Sequence, residues 1–137
     1  MRAVFADASY WIALLNPKDD LHEKAQALSS SLKHIRFITS EMVLTEVLND
    51  FSGRGEAFRL AACSLVEDLY RDPNVSVIAQ SSRQFQDAFL LYSERRDKTW
   101  GLTDCASFRI MPRGRLVRAL THDHDFVQAG FQALLRA

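Results

Sequence analysis

The sequence predicts one α/β domain, a three-layer sandwich in which helices flank a central, mainly parallel sheet. Short apolar segments alternate with longer amphipathic segments along the chain, which is the pattern of strand–helix units. The chain has 137 residues, the usual length of one domain, and 47% of them are hydrophobic. No repeat, low-complexity segment or linker divides it, so we assign residues 1–137 to a single domain.

The predicted elements follow from periodicity and turn signals. Apolar runs predict strands at 3–7, 35–39, 75–79, 116–120 and, at an edge of the sheet, 131–135. Apolar residues spaced three and four apart predict the main helices, and Thr39 or Ser40 is expected to cap the third of them. The helices span 9–15, 19–34, 41–51, 56–70, 81–95 and 103–111, with a short helix within 121–130.

Charge and cysteine content limit the classes of function. The chain has 17 basic and 17 acidic residues, so any site for a polyanion must be a local patch. Cys63 and Cys105 show no paired spacing, and we expect both to be buried free thiols in a reducing compartment. The N-terminal segment lacks the apolar core of a secretory signal, and no apolar run approaches the length of a membrane span. We therefore expect a cytoplasmic protein.

Two of the predicted strands lead directly to aspartates. Asp7 ends the first strand, and Asp123 follows the strand at 116–120. Ligands of parallel sheets bind beyond the carboxyl ends of the strands, so these two carboxylates share one crevice if the strands are neighbours. Ser9 follows Asp7 by two residues, and its hydroxyl is expected to reach the same crevice and orient a ligand or water.

Two further acids lie on predicted helices. Asp104 follows Thr103, a candidate N-cap, and therefore lies in a first turn, where the helix dipole favours a carboxylate. Taken alone, Asp104 is equally well explained as a surface capping acid. Glu46 borders the apolar face of the helix at 41–51, where an ionised carboxylate needs a cation or a partner unless it extends into solvent.

Together the four acids indicate a metal site. Carboxylates that converge from four separate elements repel one another unless a cation lies among them. Oxygen ligands without thiolates suit Mg²⁺ or Mn²⁺. Such an ion activates water for phosphodiester cleavage and stabilises charge on the leaving oxygen. The predicted catalytic and metal-binding residues are Asp7, Glu46, Asp104 and Asp123.

The segments around these acids resemble PIN domains, specifically the small toxin nucleases of the VapC type. The opening FADASYWIALL resembles the family's first strand followed by Asp-x-Ser or Asp-x-Thr, and ITSEMVLTEVL resembles the helix that carries the family's glutamate. LTDCAS and ALTHDHDFVQAGF resemble the third and closing acidic motifs. The likeness covers nearly the whole chain, and four motifs in this order are more specific than any one of them.

The resemblance implies a Mg²⁺- or Mn²⁺-dependent ribonuclease that cuts RNA with metal-activated water. It also implies a cognate antitoxin that covers or enters the site, and frequently a homodimer. Within the closing motif, Asp125 could be an auxiliary metal ligand, support another ligand or cap the following helix. His122 and His124 are expected to be structural or to face RNA, because imidazole suits Mg²⁺ poorly.

Basic and aromatic residues near the predicted site are candidates for RNA binding. Seven basic and two acidic residues lie between Arg95 and Arg118. Arg113 and Arg115 are the best candidates for contacts to phosphate, although a solvated loop that balances acids elsewhere explains them equally well. Trp100 precedes a glycine in a predicted loop and is the best candidate for base stacking, although aromatic side chains more often pack in the core.

Two other functions fit parts of the sequence. A phosphatase of the haloacid dehalogenase type also begins with a strand that ends in aspartate, but it needs a second aspartate where this chain has Ser9. A PIN-like scaffold that binds RNA or a partner without cleavage is the second alternative. Missing acids would favour that scaffold, whereas all four acids are present in this sequence.

Overall fold

A computed structural model describes residues 2–136, and its centre is a five-stranded, entirely parallel sheet. The strand order is β3-β2-β1-β4-β5, so the first strand of the chain is central. The strands are β1 (Ala3–Ala6), β2 (Arg36–Ser40), β3 (Val75–Ile78), β4 (Arg118–Leu120) and β5 (Gln132–Ala133). The predicted parallel sheet is confirmed, and the last strand lies at its edge as expected.

Helices flank this sheet and complete the predicted sandwich. Helices α1 to α4 contact one another, as do α5 to α7. They are α1 (Ala8–Leu15), α2 (His22–Ser31), α3 (Glu41–Phe51), α4 (Glu56–Arg71), α5 (Ser82–Glu94), α6 (Leu102–Arg113) and α7 (His124–Gln128). A short 3-10 helix at Leu134–Arg136 replaces the second half of the strand that the sequence predicted at 131–135. In the part of the chain that the structure covers, no helix is long and apolar enough to cross a membrane.

Capping side chains set where several helices begin. Ser40 caps α3 by accepting a hydrogen bond from the Val43 N–H at 3.1 Å, as one of the two predicted caps. Helix α2 begins three residues later than predicted, because the Asp19 side chain accepts from the Leu21 N–H at 2.9 Å and holds that segment in a turn.

The start of α6 differs from the sequence prediction. The N-cap is Gly101, and Thr103 already lies inside the helix. The Asp104 carboxylate accepts a hydrogen bond from the Gly101 N–H at 3.3 Å, so the acid itself satisfies the first free donor of the helix. The prediction that Thr103 caps α6 is therefore wrong, whereas Asp104 lies in the first turn as predicted.

The core surrounds β1, and it explains how the two ends of the chain meet. Val4, Phe5 and Ala6 are fully buried, and Phe5 is paired with Ala119 of β4. Strands β1 and β4 are therefore neighbours, and their carboxyl ends lie at the same edge of the sheet.

The prediction that both cysteines are buried is only half right. Cys105 is buried inside α6, whereas Cys63 on α4 is exposed.

Candidate metal centre

Asp7 lies at the centre of the site, directly after the central strand. Its side chain is 5% exposed, and the Thr121 hydroxyl donates a hydrogen bond to Asp7 Oδ2 at 2.9 Å. Asp7 Oδ1 is buried without a hydrogen-bond partner among the described residues. Burial raises the pKa of Asp7 to about 6, although the hydrogen bond from Thr121 opposes the shift. One carboxylate oxygen is therefore fixed, and the other is left for a ligand.

Three more aspartates form a compact group beside Asp7. Oxygen atoms of Asp104, Asp123 and Asp125 all lie within 4.8 Å of one another. Burial is the main cause that raises the pKa of Asp104 to about 8, and the charges of Asp7 and Asp123 add to it. The first turn of α6 thus holds its carboxyl against the acids that follow β1 and β4.

The acid that caps α7 is Asp123. Its side chain accepts from the Asp125 N–H at 2.9 Å, so the capping role considered for Asp125 belongs to Asp123. Asp125 lies in the first turn, where its carboxyl joins the compact group. Burial and the charge of Asp123 raise the pKa of Asp125.

Glu46 approaches the acids from α3. Its side chain is partly exposed to solvent and lies outside the compact group of three. The surrounding protein nevertheless raises its pKa by partial desolvation, and the charge of Asp123 adds to that effect. The nearby Thr103 side chain acts in the opposite direction and lowers the pKa of Glu46. Glu46 is thus close enough to interact electrostatically with the strand-end acids.

Hydroxyl groups orient these carboxylates. The Ser9 hydroxyl lies 3.4 Å from the Thr121 hydroxyl and accepts from the His122 N–H at 3.3 Å, so it is in the crevice that the sequence predicted. The Thr121 oxygen also accepts from the Asp123 N–H at 3.1 Å. No role for Thr121 was predicted from the sequence. Its position could have indicated one, because Thr121 lies two residues before Asp123 inside the closing acidic motif.

The residues fit a hard divalent cation. The donor atoms are carboxylate oxygens with no thiolate among them, and Asp7 Oδ1 is a buried oxygen that lacks a protein partner among residues 2–136. Burial and repulsion raise the pKa values of Asp7, Glu46, Asp104 and Asp125, and a bound cation would offset both effects. His122 and His124 are exposed and outside the compact group, so the THDHDF segment is not a metal site by itself.

Comparison with known proteins agrees with this arrangement. The PIN domain family matches residues 4–132, which is nearly the whole chain. The chain belongs to the PIN domain family.

Two relatives align with this chain over nearly its whole length. The chain is 31% identical over 131 residues to proteins described as 23S rRNA-specific endonuclease VapC20, from two strains of Mycobacterium tuberculosis. That alignment covers 93% of this chain and 95% of each relative.

Solved structures have the same fold. The crystal structure of VapC20 from M. tuberculosis, described as a toxin that cleaves the sarcin-ricin loop, superposes with a TM-score of 0.83 and 28% identity. It covers 94% of this chain and 96% of that one. The structure of DNA-bound VapBC from Salmonella typhimurium superposes with a TM-score of 0.61 at 14% identity, and the match covers 97% of both chains. At this identity the match shows a shared fold.

Arg113 and Arg115 lie away from the acids of the PIN domain. Arg113 is nine positions after Asp104 on α6, which is about 14 Å along the axis. Arg113 pairs with Asp87 at 2.6 Å, and Arg115 is an exposed residue with a φ of 56° between α6 and β4. Both arginines are thus solvent-accessible, but they are at the end of α6 opposite the turn that carries Asp104.

Trp100 is a core residue of the PIN domain. Only 6% of its surface is exposed, its ring meets Phe108 edge-on at 4.9 Å, and its Nε1–H donates to Gln128 at 3.1 Å. A base has no access to a ring that is covered in this way. The stacking role predicted for Trp100 is therefore not supported, because tertiary packing uses the aromatic surface. Tyr10 and Trp11 are also buried.

Proposed function

We propose that this PIN domain is a metal-dependent endoribonuclease that acts as the toxin of a toxin–antitoxin pair. The observation that carries the proposal is the convergence of acids from α3, α6 and the β4–α7 connection on the carboxylate of Asp7, which follows β1. One oxygen of that carboxylate has no hydrogen-bond partner among the described residues. Relatives described as endonucleases support it over most of their length. An RNA- or partner-binding scaffold without cleavage is the alternative, and it gives no reason for this costly concentration of acids.

Asp7, Glu46, Asp104 and Asp123 would hold Mg²⁺ or Mn²⁺, with Asp125 as an auxiliary ligand. When bound, such an ion lowers the pKa of a water molecule and stabilises charge on the leaving oxygen of a phosphodiester. The protein contributes preorganisation: Thr121 fixes Asp7, and the Asp125 N–H fixes Asp123. Ser9 presents a hydroxyl beside Thr121, where it can orient the attacking water or a phosphate oxygen.

The proposed partners are RNA, an antitoxin and a second copy of the chain. VapC20 is described as specific for 23S rRNA, so ribosomal RNA is the first substrate class to test. The VapBC structure pairs a related fold with an antitoxin, which supports a similar partner here. Arg113 and Arg115 are proposed to contact RNA phosphates beyond the cleaved bond. We place the protein in the cytoplasm, where both RNA and an antitoxin are present.

The test uses purified protein free of antitoxin and a panel of RNAs that includes 23S rRNA fragments. We expect cleavage with Mg²⁺ or Mn²⁺, none with EDTA, and none with Asp7→Asn. Asp20→Asn, at an exposed acid away from the site, is the matched control and should cut normally. Equal cleavage by Asp7→Asn and the parent protein would reject the nuclease assignment. Metal-independent RNA binding without cleavage would favour the scaffold.

Metal binding has its own readout. Mn²⁺ should raise the melting temperature of the parent protein, because a ligand that binds only the folded state stabilises it. Asp104→Asn should abolish the shift while keeping an oxygen that accepts from the Gly101 N–H. A shift of equal size in Asp104→Asn would remove Asp104 from the ligand set.

A further inference from the structure

A basic pocket adjoins the acidic centre. It has a volume of about 230 Å³ and lies between the last turn of α5 and the first turn of α6. Its walls include Tyr92, Arg95, Arg96, Lys98, Trp100 and Cys105. We infer that this pocket is a nucleotide subsite for single-stranded RNA, in which Arg96 and Lys98 bind a backbone phosphate and Tyr92 stacks on a base. The inference rests on the proposed ribonuclease function and deepens it.

Two contacts place the pocket directly beside the acids. Cys105, in its wall, is the residue after Asp104, and the Gly101 N–H next to Trp100 donates to the Asp104 carboxylate at 3.3 Å. On the other side, Trp100 bonds to Gln128 of α7, the helix that Asp123 caps. A strand whose phosphate lies at the acids therefore reaches this pocket with its neighbouring nucleotides.

The pocket has more positive charge than its own structure uses. Arg95 is neutralised by Asp97 through two hydrogen bonds of 3.0 Å, and its guanidinium lies 4.9 Å from the centre of the Trp100 ring. Lys98 is half-buried, with its ammonium 5.9 Å from the same ring. Arg96 is exposed, and no ion pair of Arg96 occurs within the described residues. Arg96 and Lys98 therefore supply the charge available to a ligand.

A basic neighbour favours the approach of RNA to the acidic centre. Several carboxylates at one point repel the phosphates on either side of the cleaved bond, and cations beside the centre offset that repulsion. Because the chain as a whole has no net charge, this attraction must come from a local patch. The pocket is that patch on the α5–α6 side of the acids.

Of the two aromatic side chains that line this pocket, Tyr92 is the one that a base can reach. It is 51% exposed in the pocket wall, whereas Trp100 is 6% exposed and already faces two cations. Stacking on an exposed tyrosine tolerates any base, so the pocket would strengthen binding without selecting a sequence. The role that the sequence suggested for Trp100 thus falls to Tyr92, eight residues earlier.

The test measures binding of a fluorescent single-stranded RNA at several salt concentrations, in an Asp7→Asn background. Replacing both Arg96 and Lys98 by Gln should weaken binding about tenfold near 0.1 M salt and reduce the slope of log K against log salt by about 0.7, the contribution of one phosphate contact to a single strand. The control replaces Lys33 and Arg71 by Gln. Both side chains are exposed and carry the same charge as the pair that they match. They precede β2 and β3, at the amino ends of the strands, whereas the acids lie at the carboxyl ends.

Tyr92 is tested separately by replacement with Leu and Phe. Tyr92→Leu should weaken binding about tenfold without changing the salt slope, and Tyr92→Phe should retain the affinity. The subsite is overturned if the Arg96/Lys98 variant behaves like the Lys33/Arg71 control while the parent binds RNA. It is also overturned if that variant binds RNA as tightly as the parent does and loses binding only to an acidic peptide such as polyglutamate. Absence of RNA binding by the parent would overturn the proposed function as well.

Discussion

The hydroxyl of Thr121 donates a hydrogen bond to the buried carboxylate of Asp7 across 114 residues of sequence. The same oxygen accepts from the Asp123 N–H at 3.1 Å. One hydroxyl therefore fixes the carboxylate after β1 and the backbone that positions the acid after β4. It leaves Asp7 Oδ1 as the oxygen without a partner in the described structure.

Replacing Thr121 with Val should uncouple these two acids. Val keeps the shape of the side chain but leaves a second Asp7 oxygen buried without a donor, which costs about 1–3 kcal/mol. We expect a lower free energy of unfolding in urea at pH 8 and slower RNA cleavage. Thr121→Ser keeps the hydroxyl and should retain most of the activity. Parental stability and cleavage in Thr121→Val would show that the hydroxyl does not position Asp7.

The metal-free protein should lose stability as the pH rises. The folded-state pKa values of Asp7, about 6, and Asp104, about 8, exceed the ordinary value of 3.8. Between pH 4 and 8 the folded state therefore holds protons that the unfolded state has released, and the free energy of unfolding falls. For buried Asp7 alone the difference is on the order of 3 kcal/mol.

Urea unfolding in EDTA, at intervals from pH 4 to pH 8, measures this effect. Asp7→Asn should flatten the decline between pH 4 and 6, because the amide does not titrate. Asp20→Asn, at an exposed acid, should leave the profile unchanged. A parent protein whose stability is constant or rises over this range would contradict the raised pKa values.

Two substitutions at Asp123 separate its capping role from its charge. Asn is as good an N-cap as Asp and can accept from the Asp125 N–H, so Asp123→Asn should melt close to the parent protein. It should nevertheless lose RNA cleavage and the Mn²⁺-induced shift in melting temperature. Asp123→Ala should also lose about 1 kcal/mol of stability through the missing cap. Full cleavage by Asp123→Asn would show that the residue acts only as a cap.

Trp100 should behave as a core residue. Trp100→Ala removes a buried ring packed on Phe108 and should cost about 3–5 kcal/mol in urea unfolding. Trp100→Leu keeps an apolar side chain in the core and should cost less, while its affinity for single-stranded RNA matches that of the parent. A tenfold loss of RNA affinity in a stably folded Trp100→Leu protein would restore the stacking role.

The fold and the positions of the acids were predictable because both depend on local patterns. An apolar run that ends in Asp7 predicts a buried strand and also a carboxylate at the strand's ligand-binding end. The Ser-capped start of α3 and the periodicity of α4 are equally local. These signals do not depend on which distant segment lies beside them, so the sequence alone was sufficient to predict these strands, helices and acids.

The errors arose where tertiary contacts decide the outcome. Thr103 has a good capping side chain, but the Asp104 carboxylate bonds to the Gly101 N–H and the helix begins earlier. The burial of Trp100 depends on Phe108 and on Gln128 of a later helix. The role of Thr121 depends on strand neighbours that no local pattern reveals.

The pairing of β1 with β4 also governs when the protein can become active during synthesis. When a nascent chain has emerged only through β3, Asp7 and Glu46 are outside the ribosome, but Asp104, Asp123 and Thr121 have not yet emerged. Until β4 docks, the carboxyl end of β1 lacks the neighbour that completes its acid centre. A contact of such high sequence separation forms late, because loop closure must precede it. The ribosome therefore finishes most of the chain before an RNA-cutting centre can exist on it.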